Sequence, residues 1–138
     1  MSMENNDKIV RININEQCKQ QYERMLEKGF DRNFFARELM LIVSELSEAL
    51  EAERKGRDAC KFPAHPEKML LDNIGRIEDE KWKRHFELYI KDTIQDEIAD
   101  ALLRIMDLCG RYKIDIDTHI AIKSYYNSLR EYKHGKKY

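Results

Sequence analysis

The chain has few residues that interrupt helices, since only 5 of its 138 residues are glycine and 2 are proline. Charged residues make up 37% of the sequence and hydrophobic residues 42%. Because glycine and proline are the residues least compatible with a helix interior, this composition favours an all-α protein over one with a sheet. The length suits one domain with a hydrophobic core of its own, and we predict a single domain over residues 1–138.

Cysteine is also scarce. Cys18, Cys60 and Cys109 are odd in number, lie far apart and form no C-x-x-C pair. This pattern argues against a disulfide framework or a zinc site and is typical of a protein in a reducing compartment.

Two further absences limit the partners. The N-terminal segment MSMENNDKIVRI has no apolar core behind basic residues, and no run of about 18 apolar residues occurs. We therefore expect no secretion signal and no membrane span, and predict a cytoplasmic protein. The formal net charge of -1 gives no general sign of binding to nucleic acid or to a lipid surface.

Hydrophobic spacing predicts four main helices in a bundle-type fold. The first three cover residues 15–28, 33–55 and 80–109, with a break near Tyr89 and with Gly110 ending the third. The last begins after Asp115 or Asp117 and runs to residue 132. Residues 56–80 contain both prolines and are expected to form an irregular looped insertion between the second and third helices, with a short helical turn in MLLDNIGRI. We expect residues 1–13 to be flexible and residues 134–138 to form a basic tail.

Two of these helices carry apolar stripes that we expect to face the core. In the second helix the stripe is Leu39, Ile42, Val43, Leu46 and Leu50; in the third it is Ile94, Ile98, Ala101, Leu102, Ile105 and Cys109.

Two acidic pairs occupy matching positions beside these stripes. SELSEAL contains Glu45 and Glu48, and DEIADAL contains Glu97 and Asp100, each pair at i and i+3 on one helix side. Both pairs have the same angular offset from their stripes, so two facing antiparallel helices would bring four carboxylates into one cluster. Such a cluster repels itself unless cations neutralise it, and ligands that are all oxygens suit Mg²⁺ or Mn²⁺. A solvated helix face is the alternative.

The last helix carries a polar stripe suited to phosphate. Lys123, Asn127, Arg130 and His134 follow one another at i, i+4, i+7 and i+11. Lysine offers a point charge, arginine a fork of donors and asparagine a neutral donor. Basic residues are also common at helix C-termini, where they complement the helix dipole, and this second interpretation stays open.

These segments together resemble the MazG-like all-α nucleoside triphosphate pyrophosphohydrolases. The resemblance lies in SELSEALEAERKG, in YIKDTIQDEIADALLRIMDLCGRYKID and in KSYYNSLREYKHGKKY, and covers about residues 30–56 and 88–138. It implies an all-α, Mg²⁺-dependent enzyme, with Mn²⁺ as a substitute, that converts an NTP or dNTP to the monophosphate and pyrophosphate. It further implies a role in nucleotide-pool housekeeping and assembly as a homodimer or homotetramer.

The resemblance also implies roles for particular residues. The metal ligands would be Glu45, Glu48, Glu97 and Asp100, and Glu45 or Glu48 would also act on the attacking water. Phosphate would be bound by Lys123 and Asn127, with Arg130 as a weaker candidate. No residue is assigned to the base. We expect Phe34 and Phe35 to pack in the core, and we expect Trp82 and His85 to line either a pocket or an interface.

Two other functions remain open from the sequence. A carboxylate-bridged di-metal bundle usually contains Glu-x-x-His on two helices, and here only Glu131 and His134 have that spacing. A non-catalytic helical dimer that binds a nucleotide or a protein is the other alternative. Metal analysis distinguishes the first, and a test for pyrophosphate release distinguishes the second.

Overall fold

The computed structural model describes residues 13–31, 34–62 and 65–130. The basic tail, with His134, lies outside these ranges, as does the predicted N-terminal extension except for residue 13. The described residues form six α-helices, one 3-10 turn at Ala59–Lys61 and no strand. The helices are α1 (Asn15–Glu27), α2 (Phe35–Arg54), α3 (Pro66–Asp72), α4 (Asp79–Tyr89), α5 (Ile94–Arg111) and α6 (Ile116–Ser128). The prediction of an all-α protein is confirmed.

Four main helices were predicted, and the described residues form six, because the expected short turn is the helix α3 and the third predicted helix is divided in two. Pro66 opens α3 at a first-turn position, where its missing N–H group would have had no partner within the helix. Trp82 Nε1 then donates to the Leu70 carbonyl over 2.9 Å and joins α4 to α3. The long third helix is divided into α4 and α5 beside the expected break at Tyr89, and Asp92 takes a left-handed conformation there, with φ 59°.

The chain divides into two compact units, Asn33–Ile105 and Met1–Arg32 together with Met106–Tyr138. The first contains α2, α3, α4 and most of α5. The second contains α1, the end of α5 and α6. Each is described separately below.

The first unit corrects the predicted core face of α2. Of the apolar stripe only Ile42 is buried, whereas Leu46 is 52% exposed and Val43 50% exposed. The buried side of α2 consists of Glu38, Ile42, Glu45, Ala49 and Ala52. Two carboxylates, one isoleucine and two alanines therefore form the buried side of α2, and the other four large apolar residues of the stripe lie at the surface.

The stripe of α5 is divided in a similar way. Ala101 is buried, whereas Ile98 and Leu102 are exposed. An exposed apolar stripe on α2, formed by Leu39, Val43, Leu46 and Leu50, is thus accompanied by a shorter one on α5 in the same unit. Phe34 and Phe35, expected in the core, are exposed as well.

The second unit is held by a close approach of α1 to the end of α5. Gly110 lies within α5 and does not cap it, contrary to the prediction. A Cβ atom at this position would collide with the backbone carbonyl of Cys18 and would lie 2.8 Å from Tyr22 Cβ. Glycine is needed here because α1 occupies the space of a side chain.

Polar contacts complete this second unit. Arg111 is buried, lies 4.9 Å above the ring of Tyr22, donates to the Phe30 carbonyl at 2.9 Å and pairs with Asp107. Asp115 caps α6 by accepting from the Thr118 N–H group, as predicted. None of the described helices has both the length and the apolar character required to cross a membrane.

Candidate functional site

An open acidic cleft of about 400 Å³ lies among α2, α4 and α5 in the unit Asn33–Ile105. Seven carboxylates, two lysines and one aromatic ring line it: Glu45, Glu48, Lys83, Phe86, Glu87, Lys91, Asp92, Asp96, Glu97 and Asp100. Both predicted acidic pairs are therefore on its wall.

Three of the four predicted metal ligands lie within ligand distance of one another. One carboxylate oxygen each from Glu45, Glu48 and Glu97 can be chosen so that all three lie within 4.8 Å. Ligands placed about 2.0–2.6 Å from a hard cation have separations of this size. Asp100 lines the same cleft but is not part of this group.

The start of α5 determines where two of the cleft carboxylates lie. The Thr93 hydroxyl accepts from the Asp96 N–H group at 3.3 Å, and the Thr93 carbonyl accepts from the Glu97 N–H group at 3.1 Å. Thr93 therefore caps the helix and places Asp96 and Glu97 in its first turn. The positive end of the helix dipole is favourable for carboxylates at these positions.

Glu97 is the most constrained acid of the cleft. Glu97 is only 5% exposed. Among the described residues, no side chain or N–H group donates to its carboxylate, and no cation pairs with it. Burial, followed by the charges of Glu48 and Asp96, raises the pKa of Glu97 to about 7. Glu97 lines the open cleft, and a cation bound there would favour its charged form.

Two neighbouring acids also have raised pKa values. Burial raises the pKa of Asp96 and of Asp100, and the charge of Glu45 adds to the rise in both. Glu45 itself is paired, since Arg104 Nε donates to its Oε1 at 2.6 Å. The seven carboxylates of the cleft outnumber its two lysines and Arg104, so the cleft has an excess of negative charge.

A second group of carboxylates was not predicted. Oxygens of Asp92, Asp96 and Glu97 also lie within 4.8 Å of one another, so Glu97 belongs to both groups. The i, i+4 spacing of Asp92 and Asp96 was a signal in the sequence, but the expected break of the helix obscured it. Lys91, next to Asp92, is another lining residue that sequence reasoning missed.

The predicted phosphate-binding residues belong to the other compact unit. Lys123 and Asn127 lie on α6 and Arg130 follows its end, and all three are exposed. Lys123 Nζ lies 4.8 Å above the ring of Tyr126. Their role in phosphate binding remains a prediction, whereas the lysines that line the acidic cleft are Lys83 and Lys91.

The aromatic residues of α4 form two stacked pairs. Trp82 stacks on Phe86 with a centroid distance of 5.6 Å and an interplanar angle of 13°, and His85 stacks on Tyr89 at 6.2 Å. Phe86 lines the cleft. Trp82, which stacks on Phe86, donates a hydrogen bond to the Leu70 carbonyl in α3. Neither Trp82 nor His85 is itself a lining residue of this cleft.

No family model, curated protein or solved structure matches this chain. The resemblance to the MazG-like enzymes therefore stays a prediction from the residues quoted above.

Proposed function

We propose that this protein is a divalent-metal-dependent nucleoside triphosphate pyrophosphohydrolase. The observation that carries the proposal is the convergence of Glu97, a residue only 5% exposed, with Glu45 and Glu48 in a cleft that also presents two lysines. Acids that converge without cations are costly for the folded protein, and such costs are typical of sites where a ligand completes the structure.

The residues present fit Mg²⁺, with Mn²⁺ as a substitute, because every donor of the group is a carboxylate oxygen. Glu45, Glu48 and Glu97 would hold the ion, and Asp100, which the resemblance adds to the ligands, lines the same cleft. When bound, the ion would neutralise phosphate oxygens and orient the attacking water.

The reaction is hydrolysis of the anhydride bond between the α- and β-phosphates. One water is consumed, its oxygen ends on one product, and the monophosphate and pyrophosphate separate. Glu45 or Glu48 would accept the proton of that water. Glu48 is better suited to this step because it is exposed to the cleft, whereas Glu45 is held by Arg104.

Substrate charge would be balanced by lysines. Lys83 and Lys91 lie on the wall of the cleft. The resemblance separately implies phosphate binding by Lys123 and Asn127, with Arg130 as a weaker candidate. Phe86 gives the cleft one flat apolar surface that suits a base of any identity. The proposal therefore includes both NTP and dNTP substrates.

We also propose assembly from two or four copies of the chain, in the cytoplasm, with a role in nucleotide-pool housekeeping. The exposed apolar stripes of α2 and α5 support the assembly, because large contiguous apolar surfaces typically mark protein interfaces. The resemblance alone supports the location and the role.

The direct test is pyrophosphate release from ribo- and deoxyribonucleoside triphosphates with Mg²⁺, with products separated by anion-exchange chromatography. We expect monophosphate and pyrophosphate in equal amounts, and loss of activity by at least about 100-fold in Glu48→Gln and Asp100→Asn. Glu53→Gln, on the exposed side of α2, is the matched control.

Absence of turnover with every triphosphate, in folded protein that binds Mg²⁺, would instead favour a binding module. Iron at a stoichiometric level in the purified protein would favour the di-metal bundle. Wild-type rates in both site variants would show that the acids were wrongly assigned.

A further inference from the structure

We propose that Cys18 and Cys109 form a site of oxidative modification, at which a peroxide converts the two thiols into a disulfide that joins α1 to α5. All three cysteines are free in the structure, and this pair lies within the unit that contains α1, the end of α5 and α6. The two residues are far apart in the sequence, so their spacing gave no sign of a pair. The inference is independent of the proposed function.

The backbones of α1 and α5 are in contact beside these two cysteines. A Cβ atom on Gly110, the residue after Cys109, would lie 2.9 Å from the carbonyl carbon of Cys18. A disulfide requires Cα atoms about 4–7 Å apart, whereas the axes of packed helices usually lie about 8–10 Å apart. A glycine at the contact lets the two backbones approach more closely, and it thereby brings Cys18 towards the spacing that a disulfide needs.

The two side chains also face each other. The Cys109 thiol is the hydrogen-bond partner of the Cys18 sulfur, and the residues are only 3% and 4% exposed. The third cysteine, Cys60, is exposed and belongs to the other unit. A second thiol held beside the first reacts with it intramolecularly, which is faster than capture by a thiol from solution. The pair is therefore arranged to form a bond within one chain.

An open pocket of about 580 Å³ gives small molecules access to the pair. Cys18 and Cys109 both line it, together with other residues of α1 and with the turn that follows α5, among them Tyr22 and Ile114. Hydrogen peroxide is close to water in size, so a pocket of this volume admits it. The thiols are thus shielded from large reagents but open to a small oxidant.

The reaction has two steps. The Cys18 sulfur attacks one peroxide oxygen: an S–O bond forms, the O–O bond breaks, and the leaving hydroxide takes the Cys18 proton to give water. The Cys109 sulfur then attacks the Cys18 sulfenic acid: the S–S bond forms, the S–O bond breaks, and the hydroxide released takes the Cys109 proton as a second water. The two sulfurs lose two electrons in total, and the peroxide oxygens gain them.

The surroundings of the pair make this oxidation slow but its product stable. Burial raises the pKa of both thiols, and the charge of Asp117 adds to the rise for Cys18. Both are therefore protonated at neutral pH, and they react more slowly than an activated cysteine. The bond would close the long loop between residues 18 and 109, and a longer loop gives a greater constraint on the unfolded chain. We expect the cross-link to accumulate slowly and to stabilise the fold.

The experiment exposes the reduced full chain to hydrogen peroxide for several hours, stops the reaction with catalase and counts thiols in denaturant with iodoacetamide. Unreduced tryptic peptides are then mapped by mass spectrometry, since trypsin separates residues 12–19 from residues 105–111. We expect wild type and Cys60→Ala to yield these two peptides joined through Cys18 and Cys109. Cys60→Ala should lose both of its thiols, and dithiothreitol should restore them. Oxidation should raise its unfolding temperature by at least about 5 °C.

Cys18→Ala and Cys109→Ala are the matched controls, because each retains one thiol of the pair. Peroxide should yield no linked peptide in either and should not raise its unfolding temperature, which also corrects for oxidation of the 6 methionines. Circular dichroism shows whether each variant is folded. The decisive thiol count is made on wild type and Cys60→Ala, which keep both buried thiols, so it stands even if an alanine control is unfolded.

Three results would overturn the inference. The first is two thiols that remain in folded Cys60→Ala after a treatment that fully oxidises free cysteine. The second is sulfinic acid at Cys18 or Cys109 without a linked peptide. The third is a link that forms only between two chains, visible as a dimer on a non-reducing gel. None of these results depends on pyrophosphate release, so the two proposals succeed or fail separately.

Discussion

Arg104 Nε lies 2.6 Å from Glu45 Oε1 and joins α5 to α2 at the edge of the acidic cleft. Glu45 is buried and Arg104 is about one-third exposed, so the pair is only partly screened by solvent. Within the part of the chain that the structure describes, Glu48 and Glu97 of the same group form no ion pair, whereas the arginine compensates Glu45. It therefore stabilises the metal-free protein and competes with a cation for Glu45.

We expect Arg104→Gln to bind Mn²⁺ about 10-fold more tightly, because the cleft becomes more negative and Glu45 is released. The same variant should lose about 1–3 kcal/mol of stability without metal, since a charged hydrogen bond is removed. Calorimetric titration and urea unfolding measure the two effects. Arg84→Gln is the control, because Arg84 is exposed on α4 and forms no ion pair within the described residues. Weaker Mn²⁺ binding in Arg104→Gln would contradict the prediction.

The raised pKa of Glu97 predicts how stability depends on pH. Burial, with the charges of Glu48 and Asp96, raises this pKa from 4.5 to about 7 in the folded, metal-free protein. The folded state therefore holds the proton more tightly than the unfolded state, and stability falls as pH rises from about 4.5 through about 7. In EDTA, Glu97→Gln should gain about 2–3 kcal/mol over wild type on going from pH 5 to pH 8. Urea unfolding at both pH values checks this, and a constant difference would contradict it.

Substitutions of Lys91 and of Lys123 test whether each of these lysines contacts the phosphates of the substrate. Lys91 lines the acidic cleft, so Lys91→Ala should raise KM for the triphosphate about 10-fold, as expected for one lost ionic contact. Lys123→Ala should have an effect of similar size if the residue matched to the family's motif acts as the resemblance implies. Steady-state kinetics with one nucleotide measures both, and Lys55→Ala, in an exposed pair with Glu51, is the control. An unchanged KM removes the corresponding lysine from the site.

Gly110→Ala should destabilise the protein although alanine is the better helix former. Alanine is better than glycine in a helix by about 1 kcal/mol at most. Forcing α1 away from α5 costs more than this gain, so the expected net loss of stability is about 1–3 kcal/mol. The added methyl group would meet the Cys18 carbonyl and Tyr22 Cβ. Thermal and urea unfolding measure the change. Lys19→Ala, on an exposed position of α1, should stay within about 0.5 kcal/mol of wild type. Equal stability of Gly110→Ala and wild type would contradict the close approach.

The exposed apolar stripe of α2 predicts self-association. Replacing Val43 and Leu50 by lysine should convert an oligomer to a monomer, because lysine cannot be buried there without a partner. Sedimentation velocity at micromolar concentration reports the change. Glu53→Lys, on the same helix, should leave the assembly intact. Wild-type protein that is monomeric at these concentrations would contradict the prediction.

Helix positions and the two acidic pairs were predictable because both depend on local spacing. The bounds of α1 and α2 agree with the expected ones to within a few residues, since glycines follow their ends and apolar residues recur at helical intervals. Glu45 and Glu48, three residues apart, necessarily lie on one side of α2. These features need only the geometry of a single helix.

The side of α2 that is buried was not predictable in this way. Helical periodicity gives the angle between Leu46 and Glu45 around the axis of α2. It does not show which of the two side chains packs against the rest of the unit. The structure buries Glu45 beside Arg104 and leaves Leu46 exposed, which is the reverse of the usual rule for large apolar residues. The assembly proposed above would cover this stripe.

The sequence by itself determined that this is a helical protein and which carboxylates share a helix side, because helical geometry connects residues three and four apart. Only the tertiary structure decided that Glu97 is buried, and that Asp92, from the turn before α5, and Asp96, from the first turn of α5, lie close to it. Burial and convergence depend on how α2, α4 and α5 pack, and that packing depends on contacts between residues tens of positions apart.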